Sequence, residues 1–193
     1  MRLTDLQYAP EYPLLAHSVL HRIQRIRSRA GAVSVGPLRL PPAGLLVGRF
    51  DLSAEVVGYF AESPETAIYE TLARREATLL SLADIGKRLL LSMRASASLN
   101  LLDLRPHAAT WPVLQSLRYA STQMLAHDAR RQGFEGVVYR SAQQHGRDCY
   151  ALFGDAMNSL RAISKTPLLE PKTGALHRAA AIAIRGSQIS LAP

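Results

Sequence analysis

The side chains best suited to bind or transform a ligand occur in short segments in the middle of the chain. Arg49 lies in Gly48–Phe50, and its guanidinium group could hold a diphosphate because its geometry matches paired phosphate oxygens. The ring of Tyr59 offers a flat face to a base or a nicotinamide. Ser141 directly follows residues 137–140, a predicted strand, and so lies at an edge where sheets often contact ligands. No GxSxG motif surrounds Ser141, which argues against a hydrolase nucleophile.

Glu70 is the acidic residue whose surroundings leave room for a ligand. It lies on a helix that we predict from Pro64 to Leu82, and the small residues Ala73 and Ala77 share its face. Periodicity alone favours a different interpretation, an ion pair with Arg74 one turn later on a solvated face, worth only about 0.3–0.5 kcal/mol. Taken by itself, the helical pattern therefore indicates a surface ion pair.

Motifs for metals and nucleotides are scarce. His17 and His21 stand four residues apart and would share one face of a helix, but the pair lacks the glutamate of HExxH and a nearby third ligand. We therefore expect no metal site. Neither a GxGxxG turn nor a GxxxxGK[ST] phosphate loop occurs, so the two commonest nucleotide-binding architectures are excluded. The single cysteine, Cys149, cannot form an internal disulfide, which fits a reducing cytoplasm.

The composition favours one compact domain with an anionic partner. The 193 residues are 48% hydrophobic and 20% charged, which suffices for one core and excludes a disordered or collagen-like chain. Lys and Arg total 23 against 15 Asp and Glu, and the net charge of +8 favours polyanionic or phosphorylated partners. The amino terminus lacks the apolar core of a secretory signal, and no apolar run approaches the roughly 20 residues of a membrane span. We therefore expect a soluble protein.

Short strands and a few helices are predicted along the chain. Ser63 and Pro64 are suited to begin a helix, because serine is a good N-cap and proline fits the first helical position. A second helix should begin at Thr110 and end before Gly133, with a periodic face formed by Leu114, Leu117, Ser121, Met124 and Leu125. Strands are predicted at residues 56–61, 88–94, 99–102, 136–140, 149–153 and 161–164. Because helices and strands are segregated, the fold class is α+β.

Two segments lack a regular pattern. Residues 30–48 contain several glycines and prolines, so we interpret them as a long irregular loop, and loops of this length are often binding loops or lids. Residues 166–193 mix Pro167, Pro171 and Gly174 with one apolar stretch, and we interpret them as a carboxyl-terminal appendage of uncertain order. The predicted organisation is thus one domain of residues 1–165 followed by this appendage.

Four segments, taken in order and spacing, resemble the RES domain family. They are Leu20–Ile23, Gly48–Phe50, Tyr59–Glu70 and Gly136–Ser141, of which the third is the most specific. The resemblance covers roughly residues 18–165 and leaves both ends outside. It implies a compact domain similar to ADP-ribosyltransferases, with a small mixed or antiparallel sheet and flanking helices. Residues 1–165 would then be an NAD-binding catalytic domain.

The same resemblance implies a set of site residues. The family uses two arginines, a tyrosine, a glutamate and a serine, and the matching positions are Arg22, Arg49, Tyr59, Glu70 and Ser141. Glu70, Arg49 and Tyr59 are therefore expected to be catalytic. Arg22, Arg49, Tyr59 and Ser141 are expected to bind NAD+, which is the substrate.

The chain departs from the family pattern at two of these segments. Family members often have Leu-Tyr-Arg where this chain has Leu20-His21-Arg22, and Arg25 is the alternative for the first arginine. Members often have Pro-Ser where this chain has Arg140-Ser141. The assignment of Arg22 depends most on the resemblance.

Members of the RES family are toxins of bacterial toxin–antitoxin pairs that deplete NAD. The resemblance implies that this chain cleaves NAD+ to nicotinamide and ADP-ribose, with water or another small acceptor such as phosphate, and thereby arrests growth in the cytoplasm. It also implies an antitoxin that covers the site and carries a DNA-binding domain. The protein would form a hetero-oligomer with this antitoxin or a homo-oligomer. Two alternatives are a protein ADP-ribosyltransferase using the same site and a non-catalytic basic module that binds nucleic acid, which the charge of +8 suggests.

Overall fold

Twelve strands and four α-helices form the fold, which a computed structural model describes for residues 1–6, 8–116 and 118–193. The strands are β1 (Glu11–Leu14), β2 (Val19–Arg25), β3 (Val33–Val35), β4 (Leu38–Leu40), β5 (Val57–Ala61), β6 (Leu79–Ser81), β7 (Arg88–Ala95), β8 (Leu99–Asp103), β9 (Gly136–Arg140), β10 (Asp148–Phe153), β11 (Leu160–Pro167) and β12 (Ser190–Ala192). The α-helices are α1 (Pro64–Thr71), α2 (Leu82–Ile85), α3 (Tyr119–Arg131) and α4 (Arg178–Ser187). Short 3-10 helices span Leu3–Asp5, Arg105–His107, Pro112–Gln115 and Gly154–Ser159.

Eight of the strands form one mixed sheet in the order β1-β8-β9-β10-β5-β2-β7-β11. All neighbours are antiparallel except β8 and β9. β2 pairs with β7 along its whole length, from Val19 to Arg25, whereas β2 and β5 are joined by the single pair His21 and Ala61. The sheet therefore has a weakly joined seam between β2 and β5.

Side-chain alternation along the central strands produces two buried layers. In β10, Ala151 belongs to the layer beneath the helices and Leu152 to the layer on the opposite face of the sheet. The β3–β4 hairpin contributes Leu38 and Leu40 to the second layer. This arrangement confirms the α+β class with a mixed sheet and flanking helices. Within the described residues, no helix combines the length and the apolar character needed to cross a membrane.

The helix predicted from Pro64 to Leu82 is wrong beyond Thr71. Its predicted start is confirmed, because the Ser63 hydroxyl accepts a hydrogen bond from the backbone N–H of Thr66. Leu72 leaves the helical conformation, and Leu79–Ser81 pairs in parallel with β12. Pairing with a distant strand has overridden the local helical pattern, which a sequence window cannot reveal.

The second predicted helix begins later than its sequence suggests. Residues Pro112–Gln115 form a 3-10 helix, and α3 starts at Tyr119 rather than at Thr110. Ser116, at the end of the 3-10 helix, takes an extended conformation with φ −80° and ψ 168°, which separates the two segments. The predicted end is confirmed, since Gly133 takes a φ of +93° directly after the helix, a conformation that glycine adopts without strain. Leu117 lies outside the described residues.

The irregular loop predicted at residues 30–48 contains a small hairpin. Gly36 takes a φ of +54° at the turn between β3 and β4, and the alternating Leu38 and Leu40 point into the core. This sequence pattern is only three residues long on each side, too short to be recognised by periodicity. Residues 41–56, beyond the hairpin, contain no strand or helix.

Residues 166–193, predicted to be an appendage, contribute to the core. α4 packs against α1 and buries Ala179, Ala180, Ala183 and Ile184 in the layer that holds α1. β12 then pairs with β6, so the last part of the chain returns to the segment that follows α1. The tail therefore supports the helix that carries Glu70.

Candidate active site

A cavity of about 220 Å³ lies beside the seam between β2 and β5. β2 contributes Arg22, the segment before β5 contributes Arg49, β5 contributes Tyr59 and α1 contributes Glu70. Four of the five residues selected from the sequence thus line one cavity. The fifth, Ser141, is 3% exposed and lies behind Glu70.

Glu70 is held in place through one of its two carboxylate oxygens. The Ser141 hydroxyl donates a hydrogen bond to Glu70 Oε1 at 2.5 Å, and the backbone N–H of Gln143 donates to the same oxygen at 3.3 Å. Among the described residues, nothing forms a hydrogen bond with Oε2 of Glu70. The carboxylate is therefore oriented, with one oxygen available to a ligand. The surface ion pair predicted between Glu70 and Arg74 is wrong, because Arg74 pairs with Glu76 at 2.8 Å after the helix has ended.

The loop that carries Ser141 is fastened to α1 at several points. The Ser141 hydroxyl accepts hydrogen bonds from the backbone N–H groups of Gln143 and Gln144, at 3.1 and 2.8 Å. Thr66 on α1 donates through Oγ1 to Gln144 Oε1 at 2.8 Å, and the backbone N–H of Arg75 donates to Gln143 Oε1 at 2.7 Å. Ser141 is therefore placed by the loop to position Glu70.

An ion-pair network fixes the strands from which this loop emerges. Asp148, the first residue of β10, pairs with Arg105 at 2.7 Å and with Arg140, the last residue of β9, at 2.5 Å. Arg105 also pairs with Asp103 at 2.7 Å and lies over the Tyr12 ring, 4.4 Å from its centroid. Hydrogen bonds to both carboxylates hold the pKa of Arg105 above its ordinary value. The network keeps the two ends of the loop together.

Arg49 is positioned by α3 through its backbone and is 9% exposed. Thr122 Oγ1 donates to the carbonyl oxygen of Arg49 at 2.6 Å, and Gln123 Nε2 donates to the carbonyl oxygen of Gly48 at 2.9 Å. The guanidinium carbon lies 5.7 Å from the centroid of the Tyr139 ring, and Nε of Arg49 is buried with no hydrogen-bond partner in the described chain. The backbone at Arg49 is thus held in place, and its side chain lines the cavity.

Tyr59 is part of a compact hydrogen-bonded unit with Asp51. Its hydroxyl donates to Asp51 Oδ1 at 2.8 Å and accepts from the backbone N–H of Phe50 at 2.8 Å. Burial, together with the neighbouring Asp51 carboxylate, raises the pKa of Tyr59 well above its ordinary value. The phenol therefore stays neutral, and its ring faces the cavity. A Cβ atom at Gly48 would come within 2.5 Å of the Tyr59 hydroxyl oxygen, so glycine is required there.

Arg22 lies across the seam from Tyr59. Its Nη1 donates to the carbonyl oxygen of Tyr59 at 2.9 Å, and its Nε is buried with no partner among the described residues. Burial lowers the pKa of Arg22 to about 10, so the guanidinium group is still charged at neutral pH. Arg25 does not line this cavity.

His21 and His17 do not share a helix face, as the sequence suggested. His21 lies in β2, paired with Ser92 of β7, and His17 lies in the turn before it with a φ of +71°. His21 lines the cavity, its Nδ1 is 3.0 Å from the Ser92 hydroxyl, and burial lowers its pKa. Within the described residues, no group of three or more His, Cys, Asp and Glu side chains is arranged to hold a metal ion.

Several positioning residues were missed in the sequence. Thr122 and Gln123 are buried polar residues on the core side of α3, and Asp51 joins Gly48 to Tyr59. Periodicity carried no signal for the first two, because the predicted helix face runs through Ser121, Met124 and Leu125, and Met124 is instead 48% exposed. No local signal distinguished Asp51 from an exposed aspartate.

Comparisons with known proteins establish the family and the fold. A family model of the RES domain matches residues 19–171, and the chain therefore belongs to the RES domain family. The structure is also similar to a chain in the crystal structure of the M.tuberculosis MbcT-MbcA toxin-antitoxin complex. That similarity has a TM-score of 0.61 at 15% sequence identity and covers 83% of this chain and 86% of the other, so it shows a shared fold. No curated protein matches the chain in sequence.

Proposed function

We propose that this protein is the toxin of a toxin–antitoxin pair and that it cleaves NAD+ to nicotinamide and ADP-ribose in the cavity beside the seam. The arrangement of Glu70 carries the proposal, because Oε1 is held by Ser141 while Oε2 is left to a ligand in a cavity lined by Arg22 and Arg49. Membership of the RES domain family and a fold shared with a chain of a toxin–antitoxin complex support the role as a toxin.

The bond that breaks joins C1′ of the nicotinamide ribose to the ring nitrogen of nicotinamide. Its electron pair moves to that nitrogen, which loses its positive charge, so nicotinamide leaves as a neutral molecule. The ribose becomes oxocarbenium-like, and a carboxylate close to it stabilises the developing positive charge. Glu70 supplies this carboxylate and holds a ribose hydroxyl through Oε2. A water molecule then adds to C1′ and releases a proton to solvent, which completes ADP-ribose.

The other residues of the cavity bind and orient the substrate. Arg22 and Arg49 line the cavity and hold the diphosphate, because guanidinium geometry matches paired phosphate oxygens. The neutral ring of Tyr59 packs against nicotinamide. Ser141 acts through Glu70 as a positioning residue, because its hydroxyl is already used on the carboxylate and on the loop. This role replaces the direct contact with NAD+ that the family resemblance implied.

The proposal includes an antitoxin that covers the mouth of the cavity in the cytoplasm. Val47 lines the cavity and is 61% exposed, and Leu45, 56% exposed, lies two residues away. This apolar surface beside several arginines fits a partner segment that is both acidic and partly apolar. The DNA-binding domain of the antitoxin and the oligomeric state are predictions taken from the family resemblance.

Nicotinamide release by the purified protein, freed of any bound inhibitor, tests the proposal. Glu70→Gln keeps an oxygen that can accept the Ser141 hydrogen bond but removes the charge, so we expect at least about a 100-fold loss of rate, which corresponds to roughly 2.7 kcal/mol. Glu170→Gln, an exposed site outside the cavity, is the matched control and should keep full activity. All three proteins should have the same melting temperature.

The contrary result is equally clear. If the wild-type protein does not cleave NAD+, or if Glu70→Gln retains its rate, the catalytic role of Glu70 is rejected. Adenine-labelled NAD+ in the same assay identifies the acceptor, since label on a protein band indicates protein ADP-ribosylation and label in free ADP-ribose indicates hydrolysis.

A further inference from the structure

A second cavity, of about 430 Å³, adjoins the candidate active site. Arg22, Ile23, Val47 and Thr71 line both cavities, so the two spaces share one wall. The second cavity therefore lies directly beside the first. Arg25, which the sequence analysis named as the alternative for the first arginine, lines only the second cavity, together with part of the predicted binding loop of residues 30–48.

The second cavity is unusually rich in positive charge. Arg25, Arg29, Arg39 and Arg88 line it in addition to Arg22, and its lining contains no Asp or Glu. Nε of Arg25 is buried with no hydrogen-bond partner in the described parts of the chain.

Within the described residues, none of these four arginines forms a salt bridge with an Asp or Glu side chain. Burial, and then repulsion by Arg25 and Arg29, lowers the pKa of Arg88. Asp84 is the acidic residue that acts on Arg88 and Arg25, but its Oδ1 is already paired with Lys87 at 2.9 Å. Crowded like charges are relieved when an anion binds among them. The cluster is therefore not an internal ion-pair network, and an anion among these side chains would reduce their mutual repulsion.

Part of the remaining wall is apolar. Pro41, Pro42, Leu45 and Val47 face the cavity, and the last two are largely exposed. Rings and branched side chains of this kind provide surface on which a purine can lie, while the arginines bind phosphate groups at its edge. The mixture of apolar walls and cations fits a phosphorylated nucleoside better than a simple inorganic ion.

We propose that the second cavity binds a phosphate monoester on the adenosine side of the substrate, so that the enzyme prefers a dinucleotide carrying a third phosphate on its adenosine ribose. The proposal rests on the proposed function, since it extends the NAD+-binding cavity. Arg22 and Arg49 already match the two negative charges of the dinucleotide diphosphate. The arginines of the second cavity are surplus to that need, and a 2′-phosphate dianion would use them.

Binding measurements test this subsite without relying on catalysis. The probes are adenosine 2′,5′-bisphosphate, adenosine 5′-monophosphate and inorganic phosphate, titrated into the wild-type protein and into Arg25→Gln and Arg88→Gln. We expect the bisphosphate to bind at least about tenfold more tightly than the monophosphate, as charge-assisted hydrogen bonds to an additional phosphate predict. This ratio should fall close to one in both variants. Arg94→Gln, on the same strand as Arg88 but outside the cavity, should preserve the ratio.

The opposite outcomes overturn the proposal. A bisphosphate that binds no more tightly than the monophosphate shows that the cavity does not take a nucleotide phosphate. If inorganic phosphate alone then binds and is lost in Arg88→Gln, the anion is free phosphate instead. An equal ratio in the wild type and in both variants places the phosphate elsewhere. None of these readings depends on NAD+ cleavage, so failure of the subsite is separable from failure of the proposed function.

Discussion

The two walls of the candidate active site differ in how completely they are hydrogen-bonded. On the acidic wall, Glu70 receives hydrogen bonds from Ser141 and from the loop, and that loop is tied to α1. On the basic wall, Nε atoms of Arg22 and Arg49 are buried without partners among the described residues, and Arg25 nearby is in the same state.

This difference distinguishes the carboxylate, which the protein holds in one orientation, from the arginines, to which we assign substrate binding. The carboxylate is oriented before any ligand arrives, which is the arrangement that stabilises developing charge at little reorganisation cost. The buried Nε–H groups of the cations, by contrast, have no acceptor among the described residues, so their burial lowers the stability of the empty protein. Substitutions on the basic wall should therefore weaken ligand binding without harming stability, whereas substitutions on the acidic wall that remove a hydrogen bond to Glu70 should lower both turnover and stability.

Arg49→Met gives the largest expected effect within this comparison. The substitution removes one of the two cations assigned to the diphosphate, so NAD+ should bind about 100-fold more weakly, equivalent to roughly 2.7 kcal/mol. The melting temperature should stay the same or rise, because a buried cation without a full set of partners has been removed. Calorimetric titration with NAD+ and thermal unfolding measure the two quantities. A less stable variant with unchanged affinity for NAD+ would show that Arg49 has a structural role and does not bind the substrate.

Ser141→Ala should have an intermediate effect and should act on both properties. Loss of a buried hydroxyl that hydrogen-bonds Glu70 is expected to lower the free energy of unfolding by about 1 kcal/mol. Because the Glu70 carboxylate is less well oriented, kcat should fall roughly tenfold while KM changes little.

The kinetic split distinguishes positioning from general destabilisation. A merely structural role for Ser141 would lower the melting temperature but leave kcat per folded molecule unchanged. A direct contact with NAD+, as the family resemblance implied, would instead raise KM. Either result would contradict the positioning role.

The smallest expected effect is that of His21→Gln on the pH dependence of stability. Burial lowers the pKa of His21 below its ordinary value of 6.5, although the Glu65 carboxylate partly opposes this. The unfolded chain therefore takes up a proton at this residue more readily than the folded protein does, so stability is lost as pH falls below about 6.5. His21→Gln should show a shallower decline of the urea midpoint over this range. An identical or steeper decline in the variant would mean that His21 is not the group responsible.

The residues with local sequence signals were predicted, and those set by distant contacts were not. Ser63 and Pro64 mark the start of α1 correctly, and Gly133 marks the end of α3, because caps act within one helical turn. The end of α1 was wrong, since β6 forms only by pairing with β12 more than a hundred residues later. Helical periodicity predicted an ion pair between Glu70 and Arg74, whereas the side chain that hydrogen-bonds Glu70 is Ser141, 71 positions away.

The support of α1 by α4 also sets an order of events during synthesis. Glu70 and the other candidate site residues all precede position 142, whereas α4 spans Arg178–Ser187 and β12 follows it. A nascent chain that has not reached residue 178 thus contains every side chain of the site but lacks the helix against which α1 packs. Incomplete translation products consequently contain the candidate site residues but lack the packing that positions Glu70.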